Sequence, residues 1–362
     1  MNYTNHYGTL ITGALEAVLP VPAALKAQLH ASVVLLLDSA LIIEAPCESF
    51  ERKPSELASS VRADEQFLRR TDEIAGKVRE DGLATQYMVL MREFAGLMFG
   101  LFATDAQMDR IRTWASEGCT SSFLMTDRGG PSPEHWKTRV RRDGDRQVLT
   151  VDKVWAMGGV GDMFSIVAAS VPGMLYPVAY LLSPEQCRNL DRSLAGPSML
   201  DGVIYLQNFA GDVEVTDADR FTRGGPTMLN RLLTMVRPQL IRCLMNHLAW
   251  LASNDRLKLT SDAVEAADYI LRVATALASR PYGNSVVTQV MAAKFASNEL
   301  LAGLVAAGAV RDPQDQRDLL AFTKMEGSSY RCLREICTKA QIYNRPAPAK
   351  QPATGKAEAV LQ

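Results

Sequence analysis

Apolar side chains fall into three successive textures along the chain. Up to about Glu117 they recur at spacings of three and four, in Ala23 to Ile43 and again in Glu65 to Phe102. A helix turns every 3.6 residues, so this spacing lays an apolar stripe along one helical face. Pro20, Pro22, Pro46 and Pro54 punctuate the region and predict breaks between helices, because proline removes an amide donor.

Near Thr120 the texture changes. His135 to Val154 predicts a β-hairpin, with Thr138 and Val140 on one arm, Val148, Thr150 and Val151 on the other, and Asp143-Gly144 at the turn. Short apolar runs follow at Met163 to Ala169, Tyr176 to Leu182 and Val203 to Leu206, each bounded by Gly, Pro, Asn or Asp. Such runs suit strands of a small barrel or sandwich. After Gly224-Gly225 the helical spacing returns, in Pro226 to Ser253, Ser261 to Ser279, Asn284 to Ala307 and Pro313 to Lys339. From Arg345 the chain is rich in Pro, Ala and Lys and has no core-forming pattern. The expected organisation is an N-terminal helical domain over 1–119, a central β-domain over 120–223, a C-terminal helical bundle over 224–344, and a disordered tail over 345–362. That is an α+β chain.

Composition narrows the function classes. The chain has 362 residues, 39 basic and 40 acidic, for a net charge of −1. Without a basic excess, no electrostatic footprint for nucleic acid or an anionic membrane surface exists. The most apolar segment, Ala31 to Ile43, is interrupted by Asp38 and is too short to span a bilayer. Met1 to Ile11 lacks the basic and apolar regions of a signal peptide. Six scattered cysteines show no CxxC pair and no zinc-type spacing, and Cys243 with His247 supplies only two ligands. These features predict reduced thiols in a cytoplasmic protein with no metal site.

Two separated stretches carry candidate chemistry. The first is Phe123-Leu-Met-Thr-Asp-Arg-Gly-Gly-Pro-Ser132, then Trp136-Lys-Thr-Arg-Val140, the Asp143-Gly144 turn, and Val154-Trp155-Ala-Met-Gly-Gly159. The second is Arg317-Asp318 followed by Met325-Glu326-Gly327-Ser328-Ser329 and Arg331. Their order and spacing resemble the acyl-CoA dehydrogenase superfamily. The first is similar to its "TEPGAGSD" loop, "KT" strand, "DG" turn and "WITNGG" strand, the second to its "RD…YEGTS" element. Arg237-Pro238 is similar to the family's "RP", and Gln107 to Gly118 to the segment leading into its β-domain.

The resemblance implies helices, a central β-barrel or sandwich and a C-terminal four-helix bundle, with FAD bound where they meet. It implies oxidation of an acyl or aminoacyl thioester, carried on CoA or on an acyl or peptidyl carrier protein, as in specialised metabolism. Glu326 would be the base for the α-proton. Thr126, Ser132, Trp155, Met157, Ser328 and Arg256 fall at cofactor-binding positions, and Arg237, Met325 and Gly327 at substrate-binding ones. Relatives complete their cofactor sites across subunits, so a homodimer or homotetramer is expected. The chemistry agrees with the residue types: no side chain accepts a hydride, and a carboxylate in an apolar pocket is a competent base.

Four departures leave alternatives open. Met157 stands where the family has a hydroxyl aimed at the flavin, and methionine donates no hydrogen bond. Pro131 replaces a glycine before Ser132, and Met325 replaces a tyrosine before Glu326. Ala306-Ala307-Gly308 replaces a Gly-Gly element. These changes keep two other readings in play: a cofactor-degenerate homologue that is a non-redox binding or partner subunit, and a thioester lyase using Glu326 without net oxidation.

Overall fold

A computed structural model of the chain describes residues 3–39, 65–130, 133–158, 161–172, 177–222 and 226–343. Among the described residues five helices come first: α1 (Tyr3–Glu16), α2 (Ala23–Ser39), α3 (Glu65–Asp81), α4 (Leu83–Phe102) and α5 (Asp105–Ser116). The single helical stretch expected over Glu65 to Phe102 is two helices. Gly82 separates them at φ 82°, and a Cβ there would lie 2.9 Å from the Trp250 ring. The new helix start is held from outside, because Leu83 N donates to His247 Nδ1 at 3.2 Å. Thr104 closes a reciprocal capping box with Gln107 to start α5.

Seven strands follow among the described residues: β1 (Thr120–Leu124), β2 (Arg139–Asp143), β3 (Arg146–Gly158), β4 (Met163–Ala169), β5 (Val178–Leu182), β6 (Asp191–Leu194) and β7 (Tyr205–Val215), with α6 (Pro184–Arg188) between β5 and β6. They form a three-stranded sheet in the order β1-β4-β5 and a four-stranded sheet in the order β2-β3-β7-β6. The hairpin of β2 and β3 pairs Asp143 with Arg146 around the expected turn. Leu124, Met163, Val167 and Leu182 from one sheet pack with Val140, Leu149, Val151 and Phe209 from the other, which makes a sandwich.

β4 is buried along its whole length. Alternation sends Met163, Val167 and Ala169 into the sandwich core and Phe164 and Ile166 into the helical core. Phe164 meets Phe99 of α4 at 5.7 Å and Trp114 of α5 at 5.5 Å between ring centroids.

The chain ends in helices α7 (Pro226–Ser253), α8 (Ser261–Ala278), α9 (Asn284–Ala306), α10 (Pro313–Phe322) and α11 (Ser329–Tyr343). Here too one expected stretch, Pro313 to Lys339, divides in two, at the turn that carries Glu326. α9 presents long apolar runs on every face and is buried nearly throughout, the pattern of a helix at the centre of a bundle. No helix among the described residues is long and apolar enough to cross a membrane. Cys47 and the tail from Arg345 lie outside the described residues.

Candidate active site

The site begins at a fault in β3. Between Lys153 and Ala156 its register against β7 slips, and Trp155 adopts a left-handed φ of 55°. A bulge of this kind re-aims a side chain. Trp155 is 64% exposed, while its neighbours Lys153 and Ala156 are buried.

The loop after β1 is tied to that bulge by a buried ion pair. Lys153 Nζ stands 3.3 Å from Asp127 Oδ2, with both side chains fully buried. Asp127 Oδ1 also accepts from the amides of Gly129 at 2.7 Å and Lys137 at 2.8 Å, and Oδ2 from that of Thr138 at 3.0 Å. Burial works to raise the Asp127 pKa, but the hydrogen bonds from Thr138, Lys137 and Gly129 prevail and hold it below the usual range. Lys153 donates to Met125 O at 3.1 Å and lies 4.0 Å from the Trp136 ring centroid. Burial lowers its pKa to about 8 against the pull of Asp127, so the pair is ionised at neutral pH. Gly129 is required here, since an added Cβ would sit 1.9 Å from His135 O.

This loop and bulge form one side of a cavity of about 880 Å³, lined by Phe123, Thr126, Trp136, Val154 and Trp155 from the β layers. Met98 and Phe102 of α4, Leu229 and Asn230 of α7, and Arg331 of α11 complete it. Its size and largely apolar lining are those of a ligand or cofactor site. Thr126 is exposed, and its carbonyl accepts from Val154 N at 3.0 Å, which fixes it beside the bulge.

Glu326 stands in the turn between α10 and α11, half-buried, at φ 56°, followed by Gly327 at φ 123°. A left-handed non-glycine residue is held only by its surroundings. Arg237 of α7, 3% exposed, donates from Nε to Glu326 O at 2.7 Å. Its Nη2 would stand 3.3 Å from a Cβ at Gly327. Ser328 Oγ accepts from Arg331 N at 3.4 Å and so caps the start of α11.

Tyr87 of α4 bridges this turn to β3. Its hydroxyl donates to Met157 Sδ at 2.6 Å and reaches Met325 Sδ at 3.5 Å. It is 1% exposed, and its ring meets Phe322 at 6.1 Å. Burial first, and then the negative charge of Glu326, push the phenol pKa well up, so it stays protonated. Sequence spacing gave no sign of Tyr87, which is 70 residues from Met157 and 238 from Met325.

The expected site residues thus separate into groups. Thr126 and Trp155 share the cavity wall, joined by Arg331 from the helix after Glu326. Glu326, Gly327, Met325, Met157 and Arg237 gather around Tyr87 and the turn, and Glu326 itself does not line the large cavity. Arg237, expected at the substrate, holds a main-chain carbonyl. Arg256 is not brought to the cavity. Its guanidinium forks onto Asp315, with Nε to Oδ2 at 2.9 Å and Nη2 to Oδ1 at 2.6 Å, and lies 5.2 Å from the Trp250 ring centroid. Ser132 and Gly159 lie outside the described residues. Among the described residues, no cluster of three or more His, Cys, Asp or Glu has metal-binding geometry.

No protein-family model matches the sequence, and no curated protein does. Solved structures do match. The glutaryl-CoA dehydrogenase of Mycobacterium smegmatis superposes with a TM-score of 0.58 at 14% identity, over 94% of this chain and 95% of that one. FkbI, of the biosynthesis of the methoxymalonyl extender unit of the Fk520 polyketide, gives a TM-score of 0.59 at 15% identity, over 76% of this chain and 85% of that one. The prolyl acyl carrier protein oxidase AnaB gives 0.55 at 12% identity, over 78% of this chain and 100% of that one. At such identity the likeness shows the fold, and the fold is that of the acyl-CoA dehydrogenases.

Proposed function

We propose that this chain, folded as an acyl-CoA dehydrogenase, is a divergent and compact member of that family that oxidises an acyl or aminoacyl thioester with FAD. The observation that supports this most is the meeting of two sequence-distant elements. The Glu326 turn and β3 approach each other across Tyr87, while Thr126 and Trp155 open beside them onto one cavity. The cavity fits a flavin in its chemistry: largely apolar walls, Thr126 in the lining, and Trp155, 64% exposed, at a bulge with left-handed φ. An exposed tryptophan held this way offers a flat surface for stacking.

Thr126 and Trp155 would hold the ring system, with the Asp127–Lys153 pair fixing the loop and bulge that bear them. A bound flavin supplies the hydride acceptor that no side chain provides. Glu326 takes the α-proton onto a carboxylate oxygen, and its turn is steadied by the Arg237 bond to its carbonyl. Tyr87 stays protonated, its burial and the Glu326 charge both opposing loss of the phenol proton. The acyl carrier is CoA or a carrier protein. The proposal includes assembly as a homodimer or homotetramer, with no role for nucleic acid or membrane.

The purified protein is expected to be yellow. Glu326→Gln should retain the flavin absorbance and lose anaerobic bleaching by acyl thioesters. Full bleaching by that variant would remove Glu326 from the reaction.

A second reading is favoured by one specific observation. Tyr87 occupies the space between Met157 and Met325, and Glu326 is absent from the cavity lining. A cofactor-free partner subunit that binds a carrier protein would need no open path to the carboxylate. A colourless preparation that takes up no added FAD, yet binds an acyl carrier protein, would select this reading.

A further inference from the structure

The turn between α10 and α11 is held by more polar burial than a turn requires. Lys294 and Asn298 of α9 are both fully buried and stand one helical turn apart. Lys294 Nζ donates to Phe322 O at 2.9 Å and to Asn298 Oδ1 at 2.7 Å. Asn298 Nδ2 then donates to Gly327 O at 3.0 Å. Lys294 thereby decides which end of the Asn298 amide faces Gly327. With the Arg237 bond to Glu326 O, three buried side chains from two helices spend themselves on the carbonyls of Phe322, Glu326 and Gly327.

Holding a turn does not demand a charge. Moving an ammonium out of water is expensive, and an apolar side chain of similar length packs a core more cheaply. Among the described residues Lys294 makes no ion pair within 4.0 Å with a carboxylate. Burial lowers its pKa to about 8, against partial support from Cys332 and Glu326, while Arg237 lowers it further. The costly cation is spent on the carbonyl of Phe322 and on the Asn298 amide that holds Gly327, the two sides of the turn that carries Glu326.

We propose that Lys294 and Asn298 are positioning residues for Glu326: they lock its left-handed backbone through Phe322 and Gly327. This rests on Glu326 being the base of the proposed reaction. A misplacement of about 1 Å at a reacting group lowers rate by roughly a hundredfold, so loosening either anchor acts on turnover before it acts on binding.

The test uses the full-length, FAD-loaded protein and a panel of C4 to C8 acyl-CoA thioesters. Lys294→Met, Asn298→Ala and Asn298→Asp are compared with wild type and Glu326→Gln. Asn298→Asp is the informative variant. It gives Lys294 a carboxylate partner, yet it removes the donor to Gly327 O and sets an acceptor against that carbonyl. Amide hydrogen exchange in 323–328 is expected to rise about tenfold in all three variants, with the remainder of α9 unchanged. Anaerobic flavin bleaching should slow by roughly a hundredfold, in kcat and not in KM. The groups facing Lys294 are Arg237 from α7, Cys332 from α11 and Glu326 from the turn. If exchange in the turn is unchanged, or if Asn298→Asp bleaches at the wild-type rate, the proposal falls while Glu326 stands. If Glu326→Gln bleaches like wild type, or no thioester bleaches any form, the reading of Glu326 falls and takes the proposal with it.

Discussion

The buried pair of Lys153 and Asp127 allows a sharp energetic test. In Lys153→Met, the fold loses a charge-assisted hydrogen bond to Met125 O and a cation held 4.0 Å from the Trp136 ring centroid. Each contributes about 2 kcal/mol. Asp127 keeps its three amide donors, so it remains ionised but loses its counter-charge. Against these losses, the variant no longer buries an ammonium. Burial lowers the Lys153 pKa to about 8 even though Asp127 pulls it back, so relief of that desolvation offsets part of the loss. With the stranded carboxylate added, Lys153→Met should cost about 3 kcal/mol. Asp127→Asn should cost a similar amount, because its amide group faces the Thr138 N–H with a second donor and leaves the ammonium alone. Removing both relieves each orphan, so the double variant should be about 2 kcal/mol more stable than the two single losses added together. Urea denaturation of the four proteins measures the cycle. Additive losses would mean the pair does not act as a unit, and a Lys153→Met loss under about 1 kcal/mol would refute the assignment of the loop anchor.

Three further outcomes follow from the same geometry. Gly129→Ala forces a methyl group onto His135 O and should cost about 3 kcal/mol by urea denaturation, as overpacking does. Trp155→Ala removes a side chain that is 64% exposed, so stability should stay within about 0.5 kcal/mol. FAD affinity, read by fluorescence titration, should nevertheless fall up to about tenfold through lost stacking. His247 is buried and its pKa drops from 6.5 to about 4, first by burial and then by the Arg256 charge. Its neutral form is the one the fold accepts, so its stability is whole above pH 6.5 and is lost as pH falls toward 4, by at most about 3 kcal/mol. Equilibrium unfolding of His247→Asn at pH 7 and pH 5 should show a smaller pH difference than wild type.

What could be read from the sequence divides by range of interaction. Met163 to Ala169 and Pro226 to Ser253 coincide with β4 and α7, because in each a local apolar pattern is bounded by local breakers. Two expected helices split, one at Gly82 and one at the Glu326 turn. In both cases the break is enforced from far along the chain, by Trp250 and His247 in the first and by Arg237, Lys294 and Asn298 in the second. The motif residues Thr126 and Trp155 were visible because they stand in contiguous signatures. Asp127, Lys153, Tyr87, Lys294 and Asn298 were not, since each matters only through a partner that folding brings to it. Lys153 and Asp127 did lie within the quoted stretches or beside them, but a charged residue on a strand or in a loop reads as a solvated one until its burial is known. Ser328, expected at the cofactor, instead caps the start of α11 through Arg331 N.

β4 has a consequence for how the molecule comes apart. Its side chains are divided between two interiors, so no surface exists along which sandwich and helices can separate without wetting Phe164 and Ile166. Opening either layer strips the other, and denaturation should proceed as one transition detected alike by strand and helix probes. A fragment limited to the β layers would carry an uncovered greasy ribbon and should clump at concentrations where the full chain stays dispersed.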